Sequence, residues 1–482
     1  MTDQDGAGEN RDVARDVAEP MPPERVESGD DALIELELND LAYGGDAVGR
    51  YQGRAVFVPG GLPGELVRAE LVRERSNYAR AHLVEVLRPS PERVAERYPE
   101  LAESGGFQWQ HLSYEAQLHW KTRIVRQLLM RIGHFTNPPV APTIGMPEGS
   151  DPWRYRTVAQ FAVGPDGAIG FRRGGSHDVI DMPSCPIVHP ALNAVYQQVR
   201  EWMRATWGAD AARYTERFTL RVAVPSPGAS PQAFEHERGP ALLAIETRPG
   251  SAIDDEGGPH ALGDALMAAA PDLVGVVILG LPGGRGRVVV GQDFVYDRVL
   301  DKEFRISAGS FFQVNAEQTP VLIEQAIEAL GPHPNDLALD GYSGVGLFSL
   351  FLADRVRHVH AIESQPSAVA DARASAAINN TTNLTVTEGV LERVLGVLAR
   401  QNERYDLVLV DPPRAGCHPR AITEIKALGP RCVVYVSCDP STLARDLNLF
   451  CGESYRLVHV QPVDMFPFTS HIECVALIER TR

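Results

Sequence analysis

Apolar and polar positions change rhythm three times along this chain of 482 residues. From Ala32 the rhythm is two. ALIELEL sets apolar side chains on one face and acids on the other, as a half-buried strand requires. LAYGGDAVGRY supplies a glycine turn, RAVFVPG a further strand, ELVRAELVRE alternates again, and RAHLVEVL closes the set. Five short strands with glycine turns over residues 32–90 predict a small OB-like barrel. Residues 91–300 are mixed. Helical spacing runs through Tyr114–Ile132, and strands are expected at TVAQFAV, GAIGFRR, TLRVAV, VGVVILGL and GRVVVG. Pro225–Gly263, rich in Pro, Gly and acids, is expected to hold long loops. From Asp301 to Arg482 apolar runs alternate with helical segments: LALDGY, VHAIE, LTVTE, DLVLVDPP, VVYVSC and ECVALIER. That pattern predicts an α/β domain with a parallel sheet and helices on both faces.

The α/β region carries the candidate chemistry. In Val433–Asp446 an apolar strand ends at Ser437 and Cys438, and Asp439 with Pro440 reads as the start of a helix. Cys438 then lies where ligands bind in such sheets, beside a helix N-terminus that favours a thiolate. A structural cysteine at a strand end is an equal reading of this stretch alone. LALDGYSGVGL runs a strand through Asp340 into a turn with Gly341, Gly344 and Gly346, and some twenty residues later VHAIE ends in Glu363. A glycine turn followed by a strand-end acid suits an adenosine, the acid taking the ribose hydroxyls. The spacing is not G-x-G-x-x-G, which disfavours an NAD-type oxidoreductase. DLVLVDPPRAGCH delivers Asp411 to the same sheet edge, with Pro412 and Pro413 stiffening the chain beyond it. Cys417 and His418 lack the further ligands that a metal site needs. DMFPFTSHIE leads to Glu473, which apolar neighbours would convert into a usable base, although this stretch alone reads first as a solvent-facing strand acid.

Composition narrows the setting. A net charge of −17 excludes a generally basic nucleic-acid binder, though not a local basic face. Residues 1–31 hold ten acids against Arg11, Arg15 and Arg25, and so seven of those negative charges lie in what reads as a disordered leader. The barrel segment sets Arg50, Arg54, Arg68, Arg73, Arg75, Arg80 and Arg88 beside Tyr43, Tyr51 and Tyr78. Cations beside aromatics suit single-stranded nucleic acid, while the arginines alone read better as a solvated face. Six cysteines, no secretory signal and no apolar run of bilayer length predict a reduced, cytoplasmic protein with no membrane partner.

Taken together, these motifs resemble the TRAM-domain RNA uridine-C5 methyltransferases that use S-adenosylmethionine. FFQVN at Phe311–Asn315 is similar to the family's F-x-Q-x-N segment, DGYSGVG to its glycine loop, DPPRAG to its fourth motif, SCDP to its nucleophile motif and HIE to its base motif. The resemblance implies a TRAM β-barrel over 32–90, a central RNA-facing α+β domain over 91–300 and a Rossmann-like class I methyltransferase domain over 301–482. It implies Cys438 as nucleophile and Glu473 as general base, with Gln313, Tyr342, Glu363 and Asp411 lining the methyl-donor and base pocket. Arg154, Arg156, Arg172 and Arg173 are candidates for phosphate contacts. The implied partner is RNA, ribosomal RNA ahead of transfer RNA, and the enzyme is expected to be a monomer. A non-catalytic RNA-binding protein on the same fold is the alternative.

The chain departs from the family at three places. Where family members often hold an iron–sulfur cluster through four cysteines, Tyr98, Ser104 and Phe107 replace three and only Cys185 remains, so no cluster is expected. Asp439 follows Cys438 where an Asn is usual, and its charge is expected to raise the thiol pKa. Glu388, before Gly389 and Val390, is a candidate adenine contact.

Overall fold

The computed structural model describes residues 33–174, 176–224, 239–247, 258–280 and 288–481. The acidic leader read at 1–31 lies outside them. Two compact units divide the chain. One comprises the residues through Ile124, Phe171–Ile180 and Phe466–His471, and the other Val125–Gly170, Asp181–Met465 and Ile472–Arg482.

In the first unit β1 (Leu33–Leu41), β2 (Ala47–Tyr51), β3 (Arg54–Val58), β4 (Leu66–Glu74) and β5 (Tyr78–Arg88) close into a barrel of order β1-β2-β3-β5-β4. The period-two rhythm is the cause. Ile34, Leu36 and Leu38 are buried in the interior, while Glu35 and Glu37 face out. The outward acids take up many of the barrel's cations. Arg68 pairs with Glu35 at 2.8 Å and Glu85 at 2.7 Å, Arg88 with Glu37 at 2.8 Å, Arg54 with Glu74 at 2.7 Å and Arg80 with Asp46 at 3.3 Å. Those four arginines belong to a solvated, internally neutralised face. The helix expected at Tyr114–Ile132 spans Tyr114–Arg131. Its buried Lys121 donates to Phe466 O at 3.0 Å, Gln117 Oε1 accepts from Phe468 N at 2.8 Å, and Trp109 N donates to Phe468 O at 3.0 Å. A segment remote in sequence is thereby fixed within this unit.

Two seven-stranded sheets follow. The first comprises β6 (Val158–Val163), β7 (Ile169–Arg172), β8 (Val179–Asp181), β9 (Arg217–Val222), β10 (Ala241–Thr247), β11 (Leu273–Gly280) and β12 (Val288–Gly291), in the order β12-β11-β10-β9-β6-β7-β8. Most of Pro225–Gly263, where long loops are expected, lies outside the described residues; within the part described, β10 is an interior strand of the sheet. ALLAIET is nearly continuous in apolar residues because neighbours cover both faces. A hairpin, β13 (Phe294–Val299) and β14 (Lys302–Ser307), follows.

The second sheet comprises β15 (Leu337–Gly341), β16 (His358–Glu363), β17 (Leu384–Glu388), β18 (Leu407–Val410), β19 (Cys432–Ser437), β20 (Tyr455–Val463) and β21 (Glu473–Arg480), ordered β17-β16-β15-β18-β19-β21-β20. Strands β15 to β19 are parallel, as the alternation of strands and helices predicts. The sheet as a whole is not parallel: β21 runs antiparallel to β19, and β20 antiparallel to β21. Tyr455–Val463 has no strong alternation and contains Pro462, a residue tolerated in an edge strand. No helix among the described residues is long and apolar enough to cross a membrane.

Candidate active site

Strand order builds the site. Reading across β16, β15, β18, β19 and β21, the chain places Glu363, Asp340, Asp411, Cys438 and Glu473 at one edge of the sheet. Each parallel strand delivers its residue at its C-terminal end. Strand β21 runs the other way and delivers Glu473 at its start. Register makes the last pair neighbours: Ser437 pairs with Cys474, so Cys438 and Glu473 flank the end of that ladder. Adjacent strands lie about 4.8 Å apart, so the whole row is within reach of one nucleoside-sized ligand and the base beside it.

The glycine turn shapes the first part of the row. Gly344 and Gly346 have φ of +55° and +85°, which L side chains resist. Glu363 Oε2 accepts from Gly344 N at 2.9 Å, and its Oε1 accepts from Ser364 N at 2.6 Å and Gln365 N at 2.7 Å. Asp340 is fully buried. Its Oδ2 accepts from Ser349 Oγ at 2.5 Å, whereas its Oδ1 and the buried Ser343 Oγ have no hydrogen-bond partner among the described residues. Burial, and then the charges of Asp411 and Glu363, raise the Asp340 carboxyl to about 7 against the pull of Ser349. Tyr342 adopts a left-handed φ of +60°, and its side chain bonds to the Cys417 side chain and the His418 backbone. Orphaned buried oxygens beside a carboxylate cluster fit a ligand that is polar and carries positive charge.

Gln313 is buried in the loop after β14. Thr157 N donates to Val314 O at 2.8 Å, and Asn315 Nδ2 donates to Met465 O at 3.1 Å. Upstream, Asp371 accepts from Ser307 N and Ser307 Oγ, both at 2.8 Å, from Ser310 Oγ at 2.6 Å, and from Arg305. Phe311, two residues before Gln313, stands 68 % exposed. Glu388 ends the outer strand β17 opposite Glu363 and is solvent-exposed.

At the reactive end, burial dominates. It pushes the Cys438 thiol up to about 12, and Glu473, Asp411 and Asp439 add to the rise while Arg414 opposes it. Burial and then the Asp411 charge raise Glu473 well above the ordinary carboxylate range, and Arg414 again opposes. Asp411 is raised by burial as well. The expected rise of the thiol pKa beside Asp439 is present in direction, but it is a small part of the whole. Asp439 is the weakest of the opposing influences, and its carboxylate is committed to capping the next helix, accepting from Ser441 N at 2.9 Å and Thr442 N at 3.0 Å. Arg414, Asp340 and Ser343 were not singled out in the sequence as site residues. The signal for Arg414 was a single cation inside DPPRAG, between two candidate acids.

A family model described as tRNA (Uracil-5-)-methyltransferase matches residues 272–481, and a TRAM domain model matches residues 32–84. An uncharacterised RNA methyltransferase of Halalkalibacterium halodurans is 38 % identical over 459 residues, 93 % of this chain and 97 % of that protein. The chain belongs to the RNA uracil-5 methyltransferase family. The methyltransferase is thus S-adenosylmethionine-dependent, with a class I catalytic fold and an N-terminal TRAM barrel. A second relative, an uncharacterised RNA methyltransferase of Caldanaerobacter subterraneus, is 36 % identical over 92 % of the chain and 98 % of its own length. Among solved structures, the Pyrococcus abyssi tRNA (uracil-54, C5)-methyltransferase in complex with S-adenosyl-L-homocysteine superposes with a TM-score of 0.69 at 26 % identity, covering 92 % of this chain and all of that one.

The cluster positions of the methyltransferase do not fit iron–sulfur ligation. Phe107 is fully buried, its ring 6.5 Å from that of Phe171, and it offers only carbon. Ser104 Oγ is buried without a hydrogen bond, Tyr98 supplies a phenol, and burial pushes Cys185 up to about 12. One high-pKa thiol does not hold a cluster that requires four thiolates. Glu363 makes a direct test of the donor end. Glu363→Ala removes three charge-assisted bonds in the glycine turn, and the KM for S-adenosylmethionine should rise about 10- to 100-fold with less change in the KM for RNA, measured by initial rates.

Proposed function

We propose that this site methylates C5 of an RNA uridine through a covalent adduct between Cys438 and uracil C6. The observation that carries the reading is the order of Glu363, Asp340, Asp411, Cys438 and Glu473 along five consecutive strands of one sheet edge. Glu363, Asp340 and the glycine turn would hold the donor, and Gln313, Tyr342 and Asp411 would line the rest of the donor and base pocket. S-adenosylmethionine, when bound, supplies an electrophilic methyl on a positively charged sulfur, which suits an edge rich in carboxylates. Uracil C5 is a poor nucleophile by itself. The Cys438 thiolate adds to C6, the C5–C6 π electrons move toward O4, and C5 becomes an enolate carbon able to take the methyl. Glu473 then removes the C5 proton. The electron pair left behind re-forms the C5–C6 double bond and expels Cys438 as a thiolate. A base inside a helix cannot reach this edge, so the target uridine is unstacked or flipped.

Ribosomal RNA is the first substrate to test, on the strength of the TRAM barrel. Transfer RNA is the second, because the solved relative is a tRNA methyltransferase. Purified enzyme with labelled S-adenosylmethionine and unmodified ribosomal or transfer RNA should yield 5-methyluridine. Label recovered only at another atom, or in neither RNA, would reject the reading.

We also infer that the enzyme works without an iron–sulfur cluster, since Tyr98, Ser104 and Phe107 stand in for three ligands. Metal analysis of protein purified without oxygen should find essentially no iron. About four irons per chain would overturn this.

A further inference from the structure

The helix Pro440–Phe450 begins two residues after Cys438, and one of its faces grips another loop. Asp446 is fully buried within it. Its Oδ2 accepts from Cys417 N and from the Tyr435 hydroxyl, both at 2.7 Å, and its Oδ1 accepts from Arg445 Nε at 2.8 Å. Arg445 also donates to Ala415 O at 2.9 Å, and the Thr442 hydroxyl shares its proton between Arg414 O and Asp439 O, both at 3.1 Å. Residues 442, 445 and 446 lie one helical turn apart, on one face. Three side chains from that face therefore hold three backbone groups of the loop Asp411–His418: the carbonyls of Arg414 and Ala415 and the amide of Cys417. Gly416 lies between them with φ +77°. A Cβ there would come within 2.5 Å of both Arg445 Nη2 and Asp446 Oδ2, so the loop touches the helix directly.

A buried carboxylate is an expensive way to fill space, because an apolar side chain there would carry no desolvation cost. What Asp446 gives in return is a fixed path for the loop that carries Asp411 and Arg414. The acids acting on Cys438 are Glu473 from β21, Asp411 from the end of β18 and Asp439 from the start of the helix. The opposing cation is Arg414. Arg414 is itself exposed, on a loop with two prolines, so its direction depends on what holds the backbone around it.

We propose that Asp446, with Arg445 and Thr442, is a positioning residue that holds Arg414 against the Cys438–Glu473 pair. The helix that begins beside the nucleophile thus also sets the path of a loop carrying a cation that favours the thiolate. This rests on Cys438 being the nucleophile.

The test is the rate at which iodoacetamide alkylates Cys438 in the full-length protein, followed by peptide mass spectrometry between pH 7 and 9.5 without RNA or donor. Below the thiol pKa, log rate rises in a line with pH, and displacement of that line reads the change in pKa. Arg445→Leu, at an exposed position, and Thr442→Val should each slow alkylation about three- to tenfold at a given pH, and Arg414→Gln by at least as much. Arg445→Leu should add nothing on the Arg414→Gln background, since both remove the same influence. Asp446→Asn should behave like Arg445→Leu; should it fail to fold, the two surface-side variants still decide. Wild-type lines for Arg445→Leu and Thr442→Val, or additivity with Arg414→Gln, would overturn the proposal. The outcomes separate cleanly. A Cys438→Ala enzyme that still methylates removes the nucleophile reading, whereas a dead Cys438→Ala enzyme with unmoved alkylation lines removes only the clamp.

Discussion

Cys438→Ala should lose methyl transfer by about 10⁴-fold or more while keeping its affinity for S-adenosylmethionine. The size follows from the reaction. Without a thiolate at C6, C5 has no enolate character, and no other group on this edge can supply it. Asp411 and Glu473 are oxygen nucleophiles in a crowded acidic cluster, each raised by burial and each a better proton acceptor than carbon nucleophile. The donor end is unaffected, because Glu363, Asp340 and the glycine turn lie on other strands. Calorimetry with the donor should therefore match wild type. Undiminished methylation would refute the assignment of the nucleophile. The wild-type rate should also rise with pH through the neutral range, since burial holds the thiol up at about 12 and only a small fraction is thiolate at pH 7.

Glu473→Gln should show a different failure. Addition to C6 and methylation of C5 need no base, whereas release does. The variant should turn over about 10²- to 10⁴-fold more slowly and accumulate a methylated RNA–protein adduct, visible as a shifted band on a denaturing gel. Absence of any adduct, with turnover still lost, would count against Glu473 as base. The same substitution should stabilise the fold above about pH 5. A carboxyl whose folded pKa is raised above its unfolded value is fully tolerated below the unfolded value, about 4.3. It loses that tolerance as pH rises through the folded pKa. The substituted amide has no proton to lose, so the variant should melt higher than wild type at pH 8, and the gap should close by pH 4. A carboxylate buried beside another acid is thus a cost to stability.

Much of the fold was legible because period and chemistry agreed. Strand β1 alternates strictly, and its outward Glu35 meets Arg68 of the neighbouring β4 as an ion pair. The parallel strands β15 to β19 are short apolar runs followed by turn chemistry, and all were readable. Strands that break those rules were not. Ala241–Thr247 lies in a stretch whose Pro, Gly and acid content reads as loop, and its apolar run belongs to a strand covered on both faces. Tyr455–Val463 carries a proline and weak alternation, and only its pairing with β21 makes it a strand. The antiparallel turn of β21 is invisible locally, because ECVALIER reads alike in either direction.

The site divides along the same line. The candidates Cys438, Glu473, Asp411 and Glu363 follow from sequence, because each ends or begins an apolar run beside recognisable turn residues. Their order along the edge is a property of the strand order, in which β18 and β19 lie between β15 and β21 although β16 and β17 intervene in the chain. Sequence proximity made Asp439 the expected influence on the thiol. Folding brings Glu473 and Asp411 closer in effect, and burial outweighs them all. Arg414 and Asp446 show the same limit. One reads as a surface cation and the other as a residue in an ordinary amphipathic helix. Only tertiary structure sets Asp446 on Cys417 and Tyr435, or brings Arg414 to bear on the acids. The sequence by itself determined the candidate parts of the reaction, because backbone period and turn chemistry are local. The tertiary structure decided their protonation and alignment, because burial and charge act through space between segments that the chain keeps far apart.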